Sequence, residues 1–420
     1  MKKTVIAILF TAVFFPSGSC QELIKMAEKY IADLASTEMD GRGYVNDGMG
    51  KAAVYMAEAF KHAGLKPLDG NYYQSYRHDV NTFPDSMCVT ADGKTLVAGK
   101  DFITQPFGGS SAGEFNVEEV NEKTIWKYYP KKQPALVFYK ALRDIKNTDS
   151  LRKLNTLLYL LSLRQPVIQV TNQKLTWGVC SSASDTSAHA FILIHASALE
   201  KVPNKIYLNI KSVFVTGFSA KNVCAILPAT KKSKKYIVFS AHYDHLGKMG
   251  SEAMFRGAND NAGGCAMLLC LAYELSKIKR DVNYIFIAFG SEEAGLIGST
   301  YFVGHSPVKL KRIKFLLNLD LVATGEEGIT VVNATEFPKA FTALEKINTS
   351  NDYFTQLKKR GPAANSDHYP FYKKGVPSFF IYTLGGSKAY HDIYDVPENL
   401  HLEGFSNLIK LLLTFCEELK

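Results

Sequence analysis

The chain has 420 residues, a hydrophobic content of 46%, a charged content of 21% and a formal net charge of +9. The length asks for two domains or one large α/β domain with an insertion, and the ordinary composition excludes a fibrous or disordered chain. The positive charge is scattered, and its one tight cluster, Lys231-Lys232-Ser233-Lys234-Lys235, reads as a solvated turn without aromatic interleaving, so no nucleic-acid partner is expected.

Met1-Lys2-Lys3, the apolar run Thr4 to Phe15, and Pro16-Ser-Gly-Ser-Cys20 form the charged, hydrophobic and small-residue zones of a secretory signal. The apolar run is too short to span a membrane as a stable helix. Residues 1–20 are therefore expected to be a signal peptide, with export to the periplasm, the cell envelope or the medium. Cys20 follows three small residues, as in a bacterial lipoprotein site, whereas Ser17 stands where such sites prefer an aliphatic residue. Lipidation of Cys20 with membrane attachment, and ordinary cleavage near it, are the two alternatives. The other cysteines, Cys88, Cys180, Cys224, Cys265, Cys270 and Cys416, show no CxxC pair and read as free thiols, with Cys265 and Cys270 inside an apolar helical run.

Residues 21–80 begin helically: Leu23, Ile24, Met26, Ala27, Tyr30, Ile31 and Leu34 recur at helical spacing, and a second helix over about 48–63 closes at Gly64. Residues 81–216 change texture. Short segments at Leu136–Tyr139, Val167–Val170, Ala190–Ile194 and Ile206–Ile210 predict an inserted β-rich module with a helix over 151–163. From Asn222 onward strands and helices alternate: strands over 236–240, 284–289, 315–321 and 378–382, helices over 262–276 and 405–419. The predicted fold class is α/β: a mixed, mostly parallel central sheet flanked by helices. Residues 21–80 and 217–420 make the catalytic domain, and 81–216 the insertion.

The polar residues at the strand ends carry the chemistry. The first strand runs into His242-Tyr-Asp244, and the next loop reads Arg256-Gly-Ala-Asn-Asp260-Asn-Ala-Gly-Gly264. The apolar run Tyr284–Phe289 delivers Glu292-Glu293, the third strand ends at Asn318-Leu-Asp320, and the last is followed by Tyr390-His391 and Asp395. Alone, each is weak: an Asp before a helix is an ordinary N-cap, and Glu-Glu is common on surfaces. Asp320 resists a bland reading, because a charge inside an apolar strand is costly unless paired or metal-bound. Together, imidazole and carboxylate without thiolate suit zinc or a similar ion in a hydrolytic site. Five ligands exceed what one catalytic zinc needs and match two ions about 3.5–4 Å apart sharing a carboxylate. Adjacent Glu292 and Glu293 point different ways, leaving one for a metal and one for a proton.

The ordered set His242-x-Asp244, Gly257-Ala-Asn-Asp260-Asn-Ala-Gly-Gly264, Ser291-Glu-Glu-Ala-Gly-Leu-Ile-Gly-Ser299, Asn318-Leu-Asp320 and His391-x-x-x-Asp395 resembles the co-catalytic double-zinc aminopeptidases. That group includes bacterial leucyl aminopeptidases, glutamate carboxypeptidases and zinc-dependent glutaminyl cyclases. The resemblance covers about 217–420 strongly and 21–80 loosely, through Asp40-Gly-Arg42 and Gly64-Leu-Lys-Pro67. It implies an eight-stranded mixed sheet, two zinc ions and a peptide substrate. Asp260 is implied to bridge the ions, with His242 and Asp320 completing one and Glu293 and His391 the other. Asp244 is implied to hydrogen-bond His242 and fix its tautomer, and Glu292 to be the general base. A cis peptide is implied after Asp260. Family members often hold the oxyanion with a tyrosine shortly before Ser366-Asp367-His368, where this chain has Gly361-Pro-Ala-Ala-Asn365, so Tyr382 or Tyr390 is the expected substitute. His245 and His368 read as hydrogen-bonded loop histidines outside the metal set.

Overall fold

The computed structural model describes residues 17–121, 124–125, 136–140 and 148–419, so the first sixteen residues of the expected signal lie outside the described residues. The runs that read as strands after Asn222 are buried on both faces, and every residue of Asn283–Phe289 is buried. The central sheet takes the order Lys66–Pro67, Val213–Leu227, Asn283–Phe289, Tyr236–His242, Ile313–Leu319, Ser378–Leu384, Gly328–Val332, Leu357–Lys359, with Tyr73–Thr82 also paired to Val213–Leu227. Lys66–Pro67 and Tyr73–Thr82 follow each other along one edge of that long strand, so nine strands fill eight positions. The four strands from Asn283–Phe289 to Ser378–Leu384 are parallel, flanked by antiparallel neighbours.

Period-two alternation sorts the central strands between two cores. Tyr284, Phe286 and Ala288 face the larger one, under the helices Ser17–Leu34, Gly48–His62, Gly264–Ser276 and Phe405–Glu418. Ile285, Ile287 and Phe289 face the other, with Phe302 and Val303 of the Ile297–Gly304 helix and Phe371 of the His368–Lys373 helix. Such two-sided burial is why these strands read as continuous apolar runs. All seven cysteines are free, and Cys265 and Cys270 are buried in the Gly264–Ser276 helix. Among the described residues no helix is long and apolar enough to cross a membrane.

Between residues 88 and 210 a second eight-stranded sheet forms, in the order Lys94–Thr95, Cys88–Ala91, Lys205–Ile210, Ser111–Val120, Leu136–Lys140, Val167–Thr171, Phe191–His195, Phe102–Thr104. The Thr148–Ser162 helix covers it through Leu154, Leu157, Leu158 and Leu161. The boundaries expected at 80/81 and 216/217 fall within a ribbon rather than at linkers: Tyr73–Thr82 and Val213–Leu227 pair from Val213↔Thr82 to Val223↔Tyr73 and run from one sheet into the other. Gln74, Ser75, Arg77, His78 and Asp79 interrupt the apolar pattern of the first of these, which is why it does not read as a strand. The module is also seated on the catalytic side. Its core includes Leu246, Met249, Ala253 and Phe255, around the hairpin Gly247–Met249/Ala253–Phe255.

Candidate metal centre

Parallel strands bring their C-terminal ends to one edge of the sheet, the edge where open α/β folds place ligands. His242 closes the Tyr236–His242 strand, Glu292 and Glu293 follow Asn283–Phe289, and Asp320 follows Ile313–Leu319. His391 comes from the loop beyond Ser378–Leu384, and Asp260 from the distorted turn Ala258–Gly263. These residues, with Leu321, Arg360, Asn365, Phe380, Tyr382 and Tyr390, line a cavity of about 200 Å³.

Asp260 divides its carboxylate between two groups. Its Oδ1 lies 3.4 Å from His242 Nε2, which is also 3.4 Å from Asp320 Oδ1. Its Oδ2 lies 3.2 Å from His391 Nε2, itself 3.1 Å from Glu293 Oε2. With metal–ligand bonds near 2.0–2.2 Å at tetrahedral angles, ligand atoms stand about 3.4 Å apart, so His242, Asp260 and Asp320 have the spacing of an ion's ligand set, and His391 stands at that distance from both Asp260 and Glu293. Asp320 Oδ1 supplies a second sign of fit: it is buried and, apart from the His242 ring 3.4 Å away, has no hydrogen-bond partner. The other oxygen is fixed by a directional chain. Ser240 Oγ donates to Asn318 Oδ1, the Asn318 amide donates to Ser366 Oγ, and Ser366 Oγ donates to Asp320 Oδ2 at 2.8 Å. The bare oxygen therefore points at His242. An unpaired buried carboxylate oxygen is costly unless a cation completes it.

The electrostatics agree. Burial pushes Asp260 up, but hydrogen bonds from His242 and His391 hold it well below the usual carboxylate range. Burial pulls His391 down, yet the charge of Glu293 and hydrogen bonds to Asp260 and Glu293 raise it to about 11. Burial, with Asp367, Glu293 and Asp320 nearby and His242 opposing, pushes Glu292 well above the usual range, whereas burial and Asp260 are outweighed at its neighbour Glu293, which is held low by His391 and His245. The two adjacent acids are thus electrostatically distinct.

Two expectations need correction. The carboxylate of Asp244 does not hydrogen-bond His242: the nearest approach is 3.8 Å, and His242 Nδ1 instead meets the Asp244 carbonyl at 3.1 Å. The Asp244 carboxylate accepts the backbone N–H groups of Glu292 and Glu293 at 3.1 and 3.3 Å, so it holds the acidic pair rather than the imidazole. His368 lies in a helix rather than a loop: it is buried at the head of His368–Lys373, against the backbone of Ser366 and Ala363. His245 is bonded as expected, but to a site residue: its Nδ1 lies 2.9 Å from Glu293 Oε1. His245, Asp260 and Glu293 also lie close enough to share an ion. His391 lines the cavity, whereas His245 is fully buried and does not. Tyr382 and Tyr390 both line the cavity; the first accepts from Arg360 Nη1 at 3.3 Å, and the second stacks on His391 at 4.0 Å.

Residues that hold the centre from behind had weak sequence signals. The Asp260–Asn261 peptide is cis. The N–H groups of Asn259 and Asp260 donate to the two oxygens of Asp395 at 2.8 and 3.0 Å. Asn261 accepts from Gly264 N–H and donates to the Leu319 carbonyl, tying the turn to the strand that carries Asp320. Arg42, fully buried, spends all five N–H donors on carbonyls: Leu34, Tyr243, Arg256, Gly257 and Asp260. Its appearance in Asp40-Gly-Arg42 was the only trace of this in the sequence.

Comparison with known proteins follows the same lines. Residues 222–416 match the model of Peptidase family M28. Aminopeptidase YwaD of Bacillus subtilis is 33% identical over 195 residues, 44% of this chain and 40% of that protein. A glutaminyl-peptide cyclotransferase of Bothrops jararaca is 26% identical over 44% of this chain and 62% of its own length. The chain thus spans about half the length of the curated relatives it matches. A zinc aminopeptidase structure from Bacillus subtilis superposes with a TM-score of 0.68 at 20% identity over 94% of both chains. A Peptidase M28 precursor from Shewanella amazonensis gives 0.65 at 12% identity over 96% of both. These likenesses establish the shared fold, and residues 222–416 are the part of this chain that is similar to Peptidase family M28.

Proposed function

We propose that the chain is an exported, two-metal aminopeptidase that removes N-terminal residues from peptides. The observation that carries this reading is the division of Asp260 between two N/O ligand groups beside Glu292 in one cavity. His242, Asp260 and Asp320 would hold one zinc, and His391, Asp260 and Glu293 the other. Bound there, the ions supply Lewis acidity toward the scissile carbonyl and make water more acidic. Glu292 takes the proton of the attacking water and passes it to the leaving amine; its raised affinity for protons suits a group that must both accept and return one near neutral pH. Tyr390 and Tyr382, at the cavity wall, are placed to border the substrate carbonyl.

Metal analysis of the purified protein, together with a panel of aminoacyl and N-blocked peptides on wild type and Glu292→Gln, tests this. Two zincs per chain, cleavage of free N-termini and a Glu292→Gln variant that keeps both metals but loses turnover are expected. Cleavage of blocked peptides instead, or cyclisation of N-terminal glutamine without hydrolysis, refutes the aminopeptidase reading. Export, and the choice between a lipidated Cys20 and plain cleavage, is read from cell fractionation and the mass of the mature N-terminus.

A further inference from the structure

We infer that Trp177, in the inserted module, is a positioning residue for the metal held by His391, so that the module is a working part of the centre. This rests on the two-metal reading above. Trp177 N–H donates to the His391 carbonyl at 2.8 Å, and His391 Nδ1 lies 3.0 Å from the Trp177 carbonyl. One residue's backbone therefore clasps both the main chain and the ring of the other. A carbonyl only accepts, so Nδ1 carries the proton and Nε2 is left for the metal. His391 has φ +52, a left-handed backbone that is uncommon for a residue with a side chain.

The clasp is braced on both sides. Lys174 donates to the Lys388 carbonyl at 2.8 Å and pairs with the Asp392 carboxylate, gripping the loop on either side of His391. Trp177 is itself anchored: its indole N–H donates to the Thr104 carbonyl at 2.9 Å, and its ring stacks on Phe255 at 4.9 Å. Thr104 belongs to the module's sheet and Phe255 to the hairpin just before Gly257, so movement of the module moves the clasp. The other imidazole is oriented differently. His242 Nδ1 meets the carbonyl of Asp244, two residues away in its own loop. One imidazole is thus oriented locally, and the other from a segment more than two hundred residues distant in sequence.

Calorimetric titration of the zinc-free full chain with zinc tests the inference, using wild type, Trp177→Ala, Trp177→Phe, Lys174→Ala and, as a marker for the affected ion, His391→Ala. Trp177→Ala is expected to weaken one zinc by about 10- to 100-fold, the same one His391→Ala removes, and to leave the other unchanged. Lys174→Ala should act on the same ion more weakly, and Trp177→Phe, which keeps the stack, should lie near wild type. Melting curves of the zinc-free proteins report fold separately. Should Trp177→Ala fail to fold, the surface change Lys174→Ala carries the test. Both zincs binding with wild-type affinity in the folded variants, or both weakening equally, overturns the inference while leaving the two-metal reading intact. A wild-type chain that takes up no second zinc overturns that reading and the inference with it.

Discussion

Replacing Arg42 by Met should loosen the centre from behind without touching a metal ligand. The guanidinium is fully buried and all five of its donors are used, at 2.7–3.2 Å, on carbonyls of Leu34, Tyr243, Arg256, Gly257 and Asp260. Methionine fills much of the same volume but donates nothing, so five carbonyls lose a donor; the Gly257 carbonyl keeps Ala262 N–H, which leaves four bared, the one at Arg256 only partly buried. At about 1 kcal/mol for each bared acceptor, the low end of the usual cost, the loss is about 4 kcal/mol. Relief of a buried charge with no carboxylate bonded to it offsets part of this, leaving about 2–3 kcal/mol. That is a large share of a typical domain's total stability of about 5–15 kcal/mol. Arg42→Lys should lie between, because an ammonium has three donors and can serve at most three of the five carbonyls. Urea unfolding of the zinc-free protein measures the loss, and a parallel zinc titration should show both ions weakened, since the released Asp260 serves both groups. A loss below about 1 kcal/mol with unchanged zinc affinity would refute the argument that Arg42 holds the Asp260 turn.

Gly257 has φ +59, and an added Cβ would stand 2.1 Å from the Asp260 carbonyl oxygen and 2.4 Å from the His245 ring. Gly257→Ala should therefore cost more than the roughly 1–2 kcal/mol of a left-handed alanine alone, and thermal unfolding with zinc stoichiometry should show loss of both; a variant like wild type in both would sink this reading. Ser366→Ala removes the donor to Asp320 Oδ2 and should weaken the zinc shared by His242, Asp260 and Asp320 by about 10- to 100-fold while sparing the other, as read by calorimetry. Zinc affinity should fall as pH falls. His391 sits at about 11 in the zinc-free protein, so below that value it carries a proton that zinc must expel, at about tenfold in affinity per pH unit for each proton displaced. Titrations in buffers of different ionisation enthalpy count the released protons, and affinity unchanged between about pH 8 and about pH 6 contradicts the prediction.

The strand ends were legible because the fold's physics writes them plainly. A strand buried on both faces must be apolar throughout, so the first charge after it, at His242, Glu292 or Asp320, is conspicuous. The ribbon joining the two sheets was not legible. Tyr73–Thr82 is polar at several positions because part of it is exposed, and its partner at Val213–Leu227 is far along the chain. What the Asp244 carboxylate touches depended on a backbone turn: Ser291, at φ +57, precedes the N–H groups of Glu292 and Glu293 that donate to it.

By itself, then, the sequence determined which residue types reach the C-terminal edge of the sheet and in what order, since burial constrains side-chain identity and parallel connectivity constrains direction. Only the tertiary structure decided how those residues are held. Arg42, Ser366 and Trp177 act through carbonyls and hydroxyls supplied from distant parts of the chain. A backbone carbonyl is the same group at every position, so a residue that recognises one leaves no mark on the partner's identity. Those contacts exist only once the chain has folded.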